Sequence, residues 1–150
     1  MSASAFCNRE VVIAPASADI LTVARLMRQH HVGDVVIVDD SDPARVIPRG
    51  IITDRDIVLE LVASGVALDR VAAGDVMSQE LVTAQEGDSL WQTMQRMRAF
   101  GIRRMVVVNS AGALEGILTL DDLIELLADE LATLAKILPH GRARETSRRE

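Results

Sequence analysis

The chain repeats itself at an offset of seventy residues. Residues 5–39 align with 75–109 without a gap, setting Glu10 over Glu80, Val12 over Val82 and Ala14 over Ala84. In the same register Met27-Arg28 fall on Met97-Arg98, and Val35-Val36-Ile37-Val38 on Met105-Val106-Val107-Val108. After a loop four residues longer in the first copy, the register resumes at Gly50 and Gly116. A repeat constrains the fold more than any single element, because each unit must bury against its neighbour what it cannot bury alone.

Each copy carries the same order of elements. Val11-Val12-Ile13 and Leu81-Val82-Thr83 read as short extended runs. Helical spacing follows, with Leu21, Ala24 and Met27 within residues 18–31, and Leu90, Met94 and Met97 within residues 88–100. Ser17 and Asp88 are the expected caps, and Trp91, aligned with Leu21, is expected in the core. The unbroken apolar runs 35–38 and 105–108 predict strands buried on both faces. Ser41-Asp42-Pro43 and Ser110-Ala111-Gly112 supply turns. A further strand and helix close each copy, the helices covering 54 to about 63 and 120 to about 138.

The unit is therefore β-α-β-β-α, taken twice. The expected fold class is α/β (α+β): two pseudo-twofold-related repeats packed sheet to sheet, since a unit this small cannot bury its own sheet face. The repeats span 5–65 and 75–131, joined by a linker at 66–74, with a helical extension and basic tail at 132–150. Met1 to Ser4 read as a loose end. Leu123, Leu127, Leu131, Leu134 and Leu138 form an apolar stripe, read first as cover for the core and second as a dimer contact. Pro139 and Gly141 are expected to stop that helix, leaving 142–150 without fixed structure.

Composition excludes several functions. A net charge of −6 argues against a general phosphate-backbone binder, and 2% aromatic residues leave no base-stacking platform. Nucleic acid is therefore not an expected partner. Nor is a membrane, since no apolar run reaches the roughly 18 residues of a span and no apolar signal core opens the chain. A soluble cytoplasmic domain is expected. Cys7 is the only cysteine, which removes disulfide and thiolate-metal frameworks, and it reads as a small buried apolar residue. His30 and His31 are neighbours at a helix end and do not face the same way, so no metal site is expected. No nucleophile with a base stands out, which points to binding rather than catalysis.

The chemistry concentrates in a phrase used twice, Gly50-Ile51-Ile52-Thr53-Asp54-Arg55-Asp56-Ile57 and Gly116-Ile117-Leu118-Thr119-Leu120-Asp121-Asp122-Leu123. A strand ends at Thr, and Asp lies three residues on, in the first turn of a helix. One reading is a helix cap related to the Ser/Thr-x-x-Glu/Gln capping box. The other is a ligand site at the sheet rim, where an exposed helix start favours phosphate and a carboxylate suits a vicinal diol. The capping box prefers Glu or Gln, whose longer side chain reaches back; Asp in both copies argues for the second reading.

Two β-α-β-β-α units, each ending in Gly-aliphatic-aliphatic-Thr-x-x-Asp, resemble a tandem pair of cystathionine-β-synthase (CBS) domains, a Bateman module. The wording Ile52-Thr53-Asp54-Arg55-Asp56-Ile57 is similar to stand-alone bacterial two-CBS proteins, as is Gly101-Ile102-Arg103-Arg104-Met105, although the family often has Pro where Met105 stands. The resemblance implies a non-catalytic regulatory module whose pockets hold AMP, ADP, ATP, NAD or S-adenosylmethionine. It implies that Asp takes the ribose hydroxyls, that Thr meets phosphate or ribose, and that the extended run lies along the adenine. One implied pocket comprises Thr53 and Asp56 with Val12, Ile13 and Ala14. The other comprises Thr119 and Asp122 with Val82, Thr83 and Ala84. The resemblance further implies homodimers, and a separate effector protein to receive the signal.

The two pockets are expected to differ. Arg103 and Arg104 align with Gly33 and Asp34, so a ligand between the copies would meet arginines at the first pocket, beside Arg55, and Gly33 and Asp34 at the second. The first is then expected to prefer phosphorylated ligands. The alternative to ligand binding is a ligand-free dimerisation scaffold in which both Thr-x-x-Asp motifs are only caps.

Overall fold

A computed structural model describes residues 1–78 and 80–149. The chain divides into two compact units, Met1–Leu118 and Thr119–Glu150. In order, the elements are α1 (Ala3–Phe6), β1 (Ile13–Pro15), α2 (Ile20–His30), β2 (Asp34–Val38), β3 (Pro48–Thr53), α3 (Asp54–Asp56) continuing as π-helical turns over Ile57–Val62, a 3-10 turn (Leu68–Arg70), α4 (Ala73–Val76), β4 (Thr83–Gln85), α5 (Leu90–Phe100), β5 (Arg104–Val108), β6 (Leu114–Thr119), α6 (Leu120–Ala135) and α7 (Ile137–Arg149).

Two three-stranded sheets, β1-β2-β3 and β4-β5-β6, realise the repeat. β1 runs parallel to β2, β2 antiparallel to β3, and β4 parallel to β5. The unbroken apolar strands are buried on both faces, as their composition predicts. Val35 and Ile37 point into a core with Ile20, Val23 and Met27 of α2. Val36 and Val38 point the other way and meet Val106, Val108 and Ile117 of the second sheet. The sheets therefore pack face to face.

Element phases differ from the sequence reading in instructive ways. β1 and β4 begin two residues later than expected, because their ladders start where β2 and β5 offer partners; Ile13 pairs with Val36 and Thr83 with Val106. Pro15, which cannot donate, is tolerated because β1 is an edge strand. Asp19 and Ser89, not Ser17 and Asp88, cap the long helices: Asp19 accepts from the Thr22 N–H at 2.7 Å, and Ser89 from the Gln92 N–H at 3.1 Å. The inward rows are Ile20-Val23-Met27 and Leu90-Thr93-Met97, one position away from the expected faces except at the shared methionines and Leu90. Trp91 is consequently 67% exposed rather than core. The long helices end at repeat-equivalent left-handed residues, His31 (φ 54°) and Gly101 (φ 63°).

Residues 1–8 are not loose. The Ala3 N–H donates to the Asp88 carbonyl (2.7 Å), the Leu90 N–H to Met1 (3.1 Å), and Asn8 and Ile117 exchange backbone hydrogen bonds. Residues 71–77 make the equivalent contacts on the first copy, where the Ala73 N–H donates to Ala18 (2.7 Å) and that of Ile20 to Val71 (3.0 Å). Each arm lies on a strand glycine. A Cβ on Gly50 would sit 2.8 Å from the Met77 Cβ, and one on Gly116 2.5 Å from the Cys7 Sγ. Glycine is required at both positions by close approach.

The second unit corrects two expectations. The helix breaks at Lys136, which caps α6, and Pro139 and Gly141 lie inside α7 instead of stopping it. Pro139 occupies the first turn of α7, where its missing N–H has no helical acceptor to leave unpaired. Residues 142–149, expected to lack fixed structure, are helical. The apolar stripe is not a core cover: Leu123 is buried, but Leu127, Leu131, Leu134 and Leu138 are exposed, Leu131 by 68%.

Candidate functional site

The first candidate set lies within the first unit. β2 is the central strand, and its start faces both neighbours: Asp34 pairs with Thr53 at the end of β3, and Val36 with Ile13 at the start of β1. The Val12 carbonyl accepts the Val36 N–H at 2.9 Å. Thr53, Asp34 and the 12–14 run thus share one end of the sheet. Ala14 is buried and Val12 half-buried, while Ile13 is exposed.

Thr53 and Asp56 form a complete capping box. Thr53 Oγ1 accepts the Asp56 N–H at 3.1 Å, and Asp56 Oδ2 accepts the Thr53 N–H at 2.9 Å. The premise that Asp is too short for this role is therefore wrong; the strand-to-helix bend at Thr53 brings the N-cap amide within its reach. The box uses only half of the carboxylate. Among the described residues, Asp56 Oδ1 makes no hydrogen bond. Asp56 is half-buried, and Asp54 and Arg55 beside it are exposed.

The arginines behave differently from each other. Arg103 is exposed and makes no ion pair among the described residues. Arg104 reaches the first copy, but its Nε donates to Asp34 Oδ2 at 2.6 Å, so the group expected to serve the Thr53/Asp56 pocket already has a partner there. A Cβ on Gly33 would lie 3.5 Å from Arg104 Nη2 and 3.2 Å from Asp54 Oδ2. Asp34 and Asp54 are the residues that sequence reasoning left out of this pocket. The signal for Asp34 was present: opposite charges occupy one repeat position.

The second set divides between the units. In the second unit Asp122 Oδ2 accepts from Thr119 Oγ1 (2.7 Å) and from the Thr119 N–H (3.3 Å), while Thr119 Oγ1 accepts the Asp122 N–H (3.1 Å). Asp122 is more exposed than Asp56. In the first unit Ala84 is buried, Val82 and Thr83 are half-buried, and the Thr83 carbonyl accepts from Arg96 Nη1 at 2.8 Å, an arginine also paired with Asp88. Leu26 stands at the repeat-equivalent position, so no arginine holds the Ile13 carbonyl this way.

Cys7 is half-buried, and that burial raises its thiol above the ordinary value. Among the described residues no three His, Cys, Asp or Glu side chains group as metal ligands, and no helix is long and apolar enough to cross a membrane.

Comparison with known proteins identifies the repeat. The CBS domain family matches residues 3–63 and again 73–129. MK0525 of Methanopyrus kandleri is 34% identical over 134 residues, covering 89% of this chain and 66% of that protein. The CBS domain-containing protein YhcV of Bacillus subtilis is 34% identical over 114 residues, covering 76% of each. Among solved structures, the CBS domain protein PAE2072 from Pyrobaculum aerophilum, complexed with AMP, superposes with a TM-score of 0.75 at 31% identity, covering 89% of this chain and 99% of that one.

Proposed function

We propose that this chain, which belongs to the CBS-domain family as a tandem pair of repeats, is a non-catalytic sensor of an adenosyl ligand: AMP, ADP, ATP, NAD or S-adenosylmethionine. The observation that carries the reading is the half-used carboxylate of Asp56. Its Oδ2 holds the helix cap, while Oδ1 makes no hydrogen bond among the described residues, and Thr53 stands at the same sheet end as the 12–14 run. A vicinal diol offers two donors side by side, and an open carboxylate oxygen is a matching acceptor. The AMP complex of the similar PAE2072 protein supports the same ligand class.

In this reading Thr53 and Asp56 hold the ribose, residues 12–14 flank the adenine, and Arg55, Arg103 and Arg104 are the cations nearest a phosphate. The repeat-equivalent pair Thr119 and Asp122 is the weaker candidate. Output passes by a change in shape or partner affinity to a separate cytoplasmic effector, which requires that the ligand bind one state better than another. The exposed row Ile124, Leu127, Leu131 and Leu134 is the surface for a homodimer. Leu131→Asp is then expected to lower the mass measured by light scattering to that of one chain.

Calorimetric titration of AMP, ATP, NAD and S-adenosylmethionine into wild type, Asp56→Ala and Asp122→Ala tests the proposal. The expected result is binding that Asp56→Ala abolishes and Asp122→Ala changes little; equal losses would remove the inequality of the sites. The completeness of both capping boxes favours one competing reading, a ligand-free scaffold. A ligand at a hundred times its Kd adds about 2.7 kcal/mol of stability, so a melting temperature unmoved by all four ligands would support the scaffold.

A further inference from the structure

The Arg104–Asp34 pair does more than join two strands. Arg104 opens β5 and Asp34 opens β2, and the pair is half-buried on both sides. Only Nε of the guanidinium is committed, to Asp34 Oδ2 at 2.6 Å. A guanidinium carries five N–H donors, so its two terminal nitrogens keep four, and none makes a hydrogen bond among the described residues. Nη2 lies beside Gly33, 3.5 Å from where a Cβ would stand, with Asp54 Oδ2 3.2 Å from the same point. Asp34 in turn pairs through the sheet with Thr53, the residue that starts the candidate nucleotide site.

We infer that Asp34 is a specificity-determining residue: through its hold on Arg104 it sets how much phosphate charge the Thr53/Asp56 site accepts. This inference rests on the adenosyl reading above. An arriving phosphate finds a guanidinium whose charge is already balanced by one carboxylate, with a second, Asp54, nearby. It can use the terminal fork, but only in competition with Asp34. Each added phosphate charge therefore gains less from Arg104 than a free arginine would supply. With Asp34 neutralised, the same arginine turns wholly to the ligand.

The test is a calorimetric series with adenosine, AMP and ATP, read as the ratio of ATP affinity to adenosine affinity. Asp34→Asn is expected to raise that ratio roughly tenfold or more, the size of one charge-assisted hydrogen bond gained. Arg104→Gln is expected to lower it, and the Asp34→Asn, Arg104→Gln double variant to match Arg104→Gln alone, because Asp34 acts through Arg104. Asp34→Ser serves as a second variant with the same expected direction should Asp34→Asn not fold. A ratio unmoved by Asp34→Asn, or moved equally with and without Arg104, would overturn the inference while leaving the nucleotide site standing. Wild type that binds none of the three would overturn this inference, and Asp56→Ala that binds them as wild type does would overturn the underlying reading and this inference with it.

Discussion

Asp34 and Arg104 stand seventy positions apart in sequence, occupy the same place in the two repeats, and touch at 2.6 Å. Two residues related by an internal twofold can meet only where its axis passes. On that axis identical residues would face each other, so two acidic or two basic side chains would repel. The opposite charges found there make a first repeat the correct partner for a second repeat and a poor partner for another first repeat.

The arm-to-strand contacts predict a graded response to added methyl groups. Gly116→Ala would place its Cβ against Cys7 Sγ and 2.7 Å from the Asn8 carbonyl oxygen, a backbone atom that cannot rotate away. Gly50→Ala meets only Met77 side-chain atoms closely. Urea melts are expected to show both variants destabilised by about 1–3 kcal/mol, with Gly116→Ala the worse. The reverse order would contradict the seating of residues 7 and 8.

Cap and ligand roles of Asp56 separate in one substitution. Glu is the favoured residue at the third position of a capping box, so Asp56→Glu keeps the Thr53 N–H satisfied. Stability is expected within about 0.5 kcal/mol of wild type on that ground. Its carboxylate is displaced by a methylene, so nucleotide affinity is expected to fall. An Asp56→Glu protein that is unstable yet binds normally would reverse the assignment.

Thr93 is the buried polar residue of α5, its Oγ1 donating to the Ser89 carbonyl at 3.0 Å. The same carbonyl accepts the Thr93 N–H, so it stays satisfied without the hydroxyl. Val23 fills the equivalent place in the first copy. Thr93→Val is therefore expected within about 1 kcal/mol of wild type by chemical denaturation, since no buried group is left unpaired. A loss above about 2 kcal/mol would mean that the hydroxyl has a role the repeat does not share.

Asp19 supplies a pH dependence. The Thr22 N–H holds its carboxyl below the ordinary value. A depressed folded value means stability present above the unfolded pKa and lost as pH falls through the folded one. Asp19→Asn keeps an acceptor for the Thr22 N–H but does not titrate. Melting temperatures of the two proteins are expected to converge as pH drops below about 4, the ordinary Asp range. Asp39, held well below that range by Arg49, adds to the acid sensitivity of both. A gap constant with pH would contradict the capping role of the charge.

The architecture was legible because its signals are local and repeated. Four-residue apolar runs at 35–38 and 105–108 admit few placements besides a strand covered on both sides, and the register gave their partnership. Features fixed by three-dimensional fit were not legible. Helix phase slipped by one position at Trp91, because an exposed Trp and a buried Thr93 both contradict residue-type expectation. Pro139 was read as a stop, but a break at Lys136 changes its meaning from terminator to first turn. At the site, the Thr-x-x-Asp spacing was read correctly as a helix start, but the reach of Asp56 back to Thr53 depends on a backbone bend that no spacing records.

The exchange of arms makes the two sheets dependent on each other in time. Residues 71–77, which cover the first sheet, are synthesised after it; residues 1–8, which cover the second, are synthesised long before it exists. The first half emerging from a ribosome thus carries a spare cover and lacks its own, and neither half can finish alone. Such long-range closure slows folding. It also means that a single nick in the exposed turn at Gly65 would leave two fragments, each wearing the other's lid, held together by the same contacts that once joined them in one chain.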